Sequence, residues 1–317
     1  MALRPAPIFW TLSPGSRSRG AGPHWGVGFL LLGCLLFTGC ASWRLGQPPT
    51  PVENRDFETL NSIVSEVLFE KGTDTYRLPM PTDAEGKNLF HSAIERLEAW
   101  RQRNPGSSED IVYYTEGLCY EKLGQPMNAL ETYRLVKTTD ADLQKTVEEK
   151  ISGLEDILNY FPPDQMGVGG LPPRDQSEEA IEAYKGTEWE PLVWILAENE
   201  AVNRALEERD STGQVASTAY KEALEALIVR FSDSARIYEH WMRLGLYYEN
   251  VAREWITVGE YGNNPKAWEL ADKALQKASE IYLKVSQADG FPEKREAQAR
   301  LVTLEELSRK VERNLVR

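Results

Sequence analysis

The sequence predicts an all-α protein built from helical hairpins, and three observations support this prediction. The chain has 317 residues, of which 41% are hydrophobic and 27% charged, as is typical of a globular protein with a sizeable core. Beyond residue 56, apolar residues recur with the helical period over most of the chain. Small and aromatic residues also recur at matching positions in two separate segments, which indicates helices that pack closely in pairs.

Residues 1–39 differ from the rest of the chain and are predicted to form a cleaved signal peptide. Three arginines and no acidic residue precede an apolar run from Gly26 to Phe37, GVGFLLLGCLLF. This run is too short to span a bilayer as a helix, but its length suits the core of a signal peptide. It ends in small residues directly before Cys40, as a cleavage site requires.

The segment Phe37-Thr38-Gly39-Cys40 resembles the lipobox of bacterial lipoproteins. In that family a peptidase cuts before the cysteine, which carries a diacylglycerol and later an N-acyl chain. The resemblance implies lipidation at Cys40, membrane attachment through these covalent acyl chains, and no other cofactor; two or more chains hold a protein stably on a membrane. Cys34 is a competing cleavage site, although cutting there would leave Leu35 to Phe37 exposed. A remnant transmembrane anchor or a chance cysteine is the remaining alternative.

Residues 40–55 are predicted to be a lipidated, extended tether, because Pro48, Pro49 and Pro51 fall within them. Ala41 and Ser42 follow the cysteine where the retention signal of inner-membrane lipoproteins usually has an Asp. The resemblance therefore implies the periplasmic side of the outer membrane in a Gram-negative bacterium.

The first two predicted helices form a degenerate repeat. The first helix starts near Asp56 and ends at Lys71-Gly72. The second runs from about Ala84 to Arg103, where Asn104-Pro105 stops it.

Residues 113–136 predict a hairpin joined at Gly124-Gln125-Pro126. Its small residues are Gly117 and Ala129, and its large ones are Tyr113, Tyr120 and Tyr133. Two antiparallel helices approach closely only where side chains are nearly absent, and the flanking gaps must be filled by rings. We therefore expect Gly117 to lie at a helix contact.

Residues 241–248, WMRLGLYY, supply the pattern W-x2-L-G-x2-Y, which resembles the first helix of the tetratricopeptide repeat. Ala278, Tyr282 and Val285 repeat the spacing of Ala129, Tyr133 and Val136 in the second helix. In the earlier copy, Tyr113 stands for the Trp and Glu116 departs from the usual Leu. The resemblance implies a tetratricopeptide-like solenoid of degenerate helical hairpins, packed by Tyr113, Gly117, Tyr120, Ala129, Tyr133, Trp241, Leu244, Gly245, Tyr248, Ala278 and Tyr282.

The second copy contains an insertion. Gly117 and Ala129 are 12 residues apart, whereas Gly245 and Ala278 are 33 apart. We expect the extra residues to lengthen the first helix toward Trp255 and to add a loop from Gly259 to Pro265.

The chain is predicted to consist of two helical halves, residues 56–160 and 177–317. The first half ends with a helix from Ala141 to Tyr160. Residues 161–176 form the break, FPPDQMGVGGLPPRDQ, which is rich in Pro and Gly. The second half contains helices near 188–208 and 215–231 and a capping helix near 292–316. One continuous superhelix and a hinge at Gly167 to Gly170 both remain open.

The sequence offers little catalytic chemistry. His91 and His240 lack metal-ligand spacing, the paired glutamates fit solvated helix faces, and Cys119 fits a small buried residue, so we predict no enzyme and no metal site. The net charge of −13 makes nucleic acid a poor partner. Some aromatic residues are not required by repeat packing and are candidates for a binding surface: Trp189, Trp255, Tyr261 and Trp268.

Phe231-Ser232-Asp233-Ser234 resembles the F-P-x-S turns of outer-membrane repeat lipoproteins of the barrel-assembly type and of the Tol-Pal system, with Ser232 in place of the Pro. The resemblance implies a scaffold for envelope proteins, in outer-membrane protein assembly or envelope maintenance. Alternatives are a lipoprotein that binds peptide or glycan and a regulator of peptidoglycan enzymes.

Overall fold

The computed structural model describes residues 51–162, 174–212, 217–262 and 264–316. These residues form eleven α-helices and no β-strand, which confirms the predicted all-α class. No described helix is both long and apolar enough to cross a membrane. The predicted signal peptide, Cys34, Cys40 and the segment Gly167 to Gly170 lie outside the described residues.

From the helix Leu89–Arg103 onward, each helix packs against the next in chain order, and the helix Ile237–Gly262 also contacts the helix Glu293–Leu315. The chain divides into two units, Met1–Asn54 and Arg55–Arg317, and the packing described below belongs to the second. The helices are α1 (Pro51–Glu70), α2 (Leu89–Arg103), α3 (Glu109–Lys122), α4 (Pro126–Arg134), α5 (Ala141–Tyr160), α6 (Arg174–Tyr184), α7 (Glu190–Thr212), α8 (Thr218–Arg230), α9 (Ile237–Gly262), α10 (Pro265–Ser286) and α11 (Glu293–Leu315).

The prediction of an extended tether over residues 40–55 is wrong for its last five residues. Residues 51–55 are helical rather than extended, since α1 begins at Pro51. Proline suits the first position of a helix, because the amide hydrogen that it lacks would have no partner there.

The start of α2 lies five residues beyond the predicted one. Asp83 accepts hydrogen bonds through Oδ1 from the backbone amides of Glu85 and Lys87, and these bonds hold a turn in place of a helix. The helix starts only after Asn88, whose side chain accepts from the amides of Phe90 and His91.

The turn between α3 and α4 requires Gly124. Its φ of +68° is a left-handed conformation that side chains disfavour. A Cβ at this position would also lie 2.5 Å from Cγ2 of Ile195 on α7. Gly124 therefore both reverses the chain and lets a later helix approach.

The predicted loop from Gly259 to Pro265 is wrong. Helix α9 continues to Gly262 and α10 starts at Pro265, so the insertion lengthens both helices of one hairpin. Gly259 lies in the helix because the ring of Trp268 occupies the place of its missing side chain, with Cε2 2.6 Å from a built Cβ. A glycine that signals a loop in the sequence is here a contact between helices.

Helices α9 and α10 form a long hairpin, and the contacts between them, which we call its seam, are regularly spaced. Gly245 faces Tyr282 and Gly259 faces Trp268, so the contacts lie 14 residues apart on each helix. Midway between them, Ala252 and Leu275 are both buried. At two positions along the hairpin, a glycine of α9 thus meets an aromatic ring of α10.

We predict that Gly117→Ala destabilises the fold. The added methyl group would lie 2.5 Å from Cε1 of Tyr133. Overpacking costs about 1–3 kcal/mol, which outweighs the gain of about 1 kcal/mol from the helix propensity of alanine. We expect a net loss of up to about 2 kcal/mol in the free energy of unfolding, measured by urea denaturation.

Gly72→Ala is the matched control, because a Cβ there would meet nothing within 4 Å. Equal stability of the two variants would contradict the proposed contact.

Candidate functional site

The repeat positions identified in the sequence meet in pairs in the two hairpins. The ring of Tyr133 packs on Gly117, and the ring of Tyr282 packs on Gly245. The small residues Ala129 and Ala278 are both fully buried. Each hairpin therefore brings a glycine of its first helix against a tyrosine of its second.

Two buried glutamates complete these contacts and were missed by the sequence reasoning. The Tyr133 hydroxyl donates to Oε1 of Glu121 at 2.7 Å, and the Tyr282 hydroxyl donates to Oε2 of Glu249 at 3.0 Å. A buried hydroxyl needs such a partner. The signal was present in the sequence, because both copies read Gly-Leu-x-Tyr-Glu, at residues 117–121 and 245–249.

The next helix supplies a cation to each glutamate. Lys150 on α5 places Nζ 3.2 Å from Oε2 of Glu121. Arg300 on α11 places Nη1 3.6 Å from Oε2 of Glu249, whose Oε1 also lies 2.7 Å from Arg253. A buried carboxylate is costly unless it is paired. Each Tyr–Glu contact thus ties its hairpin to the following helix.

Tyr113 and Trp241, the first aromatic residues of the two repeat copies, are only partly buried, and a cation lies on the ring of each. The guanidinium of Arg101 lies 4.8 Å from the centre of the Tyr113 ring, and Nζ of Lys284 lies 3.5 Å from that of Trp241. Among the other motif residues, Tyr120 and Tyr248 are partly buried and Leu244 is buried.

The four aromatic residues proposed as a binding surface do not lie in one place. Trp189 packs on Gly153 beneath the ammonium group of Lys150, whereas Trp255 is partly buried and packs against the core of the hairpin formed by α9 and α10. Trp268 is 8% exposed against Gly259, and Tyr261 is 88% exposed near the end of α9. Only Tyr261 offers an open ring to a partner.

A buried polar cluster lies where α7 meets the start of α9. Nε2 of His240 lies 2.6 Å from Oε1 of Glu198, and both side chains are almost fully buried. Arg236 donates to Oδ1 of Asn199 at 2.6 Å and to Oε2 of Glu239 at 2.9 Å. Although burial opposes ionisation, hydrogen bonds from Arg236 and Arg243 lower the pKa of Glu239 to about 2.

The connection between α1 and α2 reaches this cluster. The ring of Tyr76 stacks on Trp194 of α7, with centroids 5.2 Å apart and planes within 17°. The backbone amide of Ala235 donates to the carbonyl of Tyr76 at 2.7 Å. A cavity of about 350 Å³ adjoins this contact, and its lining includes Tyr76, Glu198 and Arg236.

The remaining titratable candidates are placed as follows. Burial raises the pKa of the Cys119 thiol far above its usual range, so the thiol is not activated as a nucleophile. His91 is exposed on α2. Within the part of the chain that the structure describes, no three His, Cys, Asp or Glu residues are grouped so that they could hold a metal ion.

No protein-family model and no curated protein matches this chain.

Glu116, where the repeat pattern has Leu, is buried in α3. Burial raises the pKa of its carboxyl group from 4.5 to about 7, because Arg101, 3.5 Å away, compensates only in part. The folded state therefore binds the proton more tightly than the unfolded state does. The stability contributed by the protonated form is fully present below pH 4.5 and is lost as the pH rises toward 7.

We predict that Glu116→Leu stabilises the protein, and more so at high pH. Each pKa unit corresponds to about 1.4 kcal/mol, and allowing for solvent screening we expect the advantage of Leu to grow by about 2 kcal/mol between pH 4.5 and pH 8. Urea denaturation at both pH values measures this difference. Glu131→Leu, at an exposed position of α4, is the control. An advantage of Leu that is independent of pH would contradict the raised pKa.

Proposed function

We propose that this chain is a lipid-anchored scaffold of the bacterial cell envelope, with tetratricopeptide-like repeats that bind other envelope proteins. The observation that carries the proposal is the recurrence of one set of contacts in two distant hairpins. Gly117, Tyr133 and Glu121 match Gly245, Tyr282 and Glu249 in identity and in contact.

The link to the following helix supports a stack of repeats. In repeat proteins each unit buries its apolar face only against its neighbours, and the stack presents an extended binding surface. Lys150 and Arg300 provide such a link between one hairpin and the next helix. Binding proteins of this kind need no catalytic group, and we propose a non-enzymatic role.

Attachment to the membrane is proposed from the sequence alone. Phe37-Thr38-Gly39-Cys40 supports lipidation at Cys40, and Ala41-Ser42 supports sorting to the outer membrane, on its periplasmic side. With acyl chains as the anchor, the folded body needs no apolar surface for attachment.

A ligand-binding lipoprotein is the second candidate, and the observation that favours it is Tyr261. This ring is 88% exposed, and Val258 one turn earlier is also exposed. An open aromatic ring can stack on a sugar or pack on a peptide side chain.

We predict that Cys40→Ser releases the protein from membranes, because serine has no thiol to which the diacylglycerol could be attached. Fractionation of Gram-negative cells that express each variant, with intact-mass measurement, tests this prediction. Cys34→Ser is the matched control and should remain in the membrane fraction with an acylated mass. Cys40→Ser protein that stays membrane-bound with an unmodified mass would contradict the lipidation.

We predict that the protein with a photo-reactive amino acid in place of Tyr261 cross-links to an envelope protein. A photo-reactive amino acid at Tyr261 probes the exposed ring, and the same amino acid at the exposed Val229 on α8 is the control. A protein adduct at Tyr261 but not at Val229 supports the scaffold. Absence of any protein adduct, together with a shift of Trp fluorescence on adding muropeptides, would instead support the ligand-binding lipoprotein.

A further inference from the structure

Residues 73–78 in the connection between α1 and α2 form a compact turn, referred to below as the Tyr76 turn. Oδ1 of Asp74 accepts from the amides of Tyr76 and Arg77, each at 3.1 Å. The amide of Leu78 donates to the carbonyl of Asp74 at 2.9 Å. The turn therefore carries its own capping residue, Asp74.

The Tyr76 turn lies against parts of the chain that are distant in sequence. Lys122 of α3 donates to the carbonyl of Thr73 at 2.9 Å, and Arg77 pairs with Glu190 of α7 at 2.8 Å. Tyr76 is 3% exposed, stacks on Trp194, and accepts at its carbonyl from the amide of Ala235. These four groups, together with Glu198 from the lining of the adjoining cavity, form what we call the Tyr76 seat: Lys122, Glu190, Trp194, Glu198 and Ala235.

Only the middle residues of the Tyr76 turn are buried against the seat. Thr75 and Tyr76 are buried, whereas Lys71 and Gly72 before them and Arg77 to Pro79 after them are exposed. One aromatic side chain thus anchors a segment whose two ends remain in solvent. A peptide ligand commonly binds a pocketed surface in the same way, with a buried anchor and exposed flanks.

Two cavities adjoin the seat. A cavity of about 350 Å³ adjoins the turn at Tyr76, and a second of about 400 Å³ is lined by Lys71, Gly72 and Lys122. In the first cavity, Oε2 of the buried Glu198 accepts no hydrogen bond within the described residues, although Arg236 lies 3.7 Å away. A buried acceptor without a donor favours a ligand that brings one.

We propose that the Tyr76 turn is a built-in occupant of an exchangeable binding site, and that the site accepts a partner protein carrying a similar turn. The partner segment would contain an Asp or Asn as a cap, an aromatic residue two positions later, and a basic residue directly after it. The aromatic residue stacks on Trp194 and the basic residue pairs with Glu190. This inference rests on the proposed scaffold function and specifies the partner that the scaffold recognises.

The acidic character of the chain favours such a partner. The net charge is −13, and the seat contains two acidic residues, Glu190 and Glu198, against one basic residue, Lys122. A basic segment gains from this field as well as from the direct pair with Glu190. The built-in turn lowers the apparent affinity of an external segment, because the site is free only while the turn is displaced.

Binding of the turn as a separate peptide tests the proposal. In an opened variant of the full chain, residues 73–78 are replaced one for one by alternating Gly and Ser, and the probe is a fluorescein-labelled peptide of residues 70–80. We expect the opened variant to bind this peptide at least about tenfold more tightly than the wild type does. A peptide with Tyr76→Ala and Arg77→Glu should lose at least about tenfold in affinity for the opened variant.

A matched control variant carries the same Gly and Ser replacement at residues 83–87, which lie in the same connection and are mostly exposed. This control should bind the peptide as weakly as the wild type. A folded opened variant that does not bind the peptide, or that binds both peptides equally, would overturn the proposal. Dimerisation of the wild type through exchange of its own turns would also overturn it, because the occupant would then be a second copy.

Hydrogen exchange on the wild type tests the same proposal if the opened variant does not fold. The amide of Ala235 donates to the carbonyl of Tyr76, so it reports whether the turn is in place. We expect this amide to exchange through a local opening, at least about tenfold faster than the most protected amides of α9. Exchange of Ala235 only through global unfolding would show that the site never opens. Cross-linking to envelope proteins is a separate measurement, so the scaffold function can hold even if the exchange of turns does not.

Discussion

The packing of a tyrosine ring on a glycine of the facing helix is the contact on which the hairpins depend. The close approach of the two backbones leaves the Tyr133 and Tyr282 hydroxyls buried, and each then requires an acceptor. Glu121 and Glu249 are these acceptors, and as buried acids they require a cation from the next helix. One steric requirement between two helices therefore leads to an electrostatic link with a third.

These linked requirements explain why the packing role of the repeat positions could be predicted from the sequence. Gly117 and Gly245 stand at the same place in a short motif, and the tyrosines follow at matching positions of the second helices. Helix α5 has the predicted bounds, Ala141 to Tyr160, because Asp140 caps its start and its apolar face is regular. The local sequence pattern was sufficient to predict a helix boundary where a single side chain, such as that of Asp140, determines it.

Sequence reasoning failed where a residue acts through a distant partner. Gly259 has the signature of a loop, and only the Trp268 ring facing it explains its place inside a helix. The stacking of Tyr76 on Trp194 and the pairing of Glu198 with His240 join segments with no common periodicity. Such contacts are properties of the tertiary structure, so neither spacing nor composition could have predicted them.

The length of the hairpin formed by α9 and α10 has a mechanical consequence. Helix α9 has 26 residues, which corresponds to a helix length of roughly 39 Å at the usual rise per residue. The glycine contacts at both ends of its seam hold the two helices together along this length, so the pair resists bending. Nζ of Lys310 on α11 lies 2.6 Å from Oε1 of Glu260, so α11 also holds the hairpin near the end of α9, and a pull applied near Tyr261 would be shared among three helices.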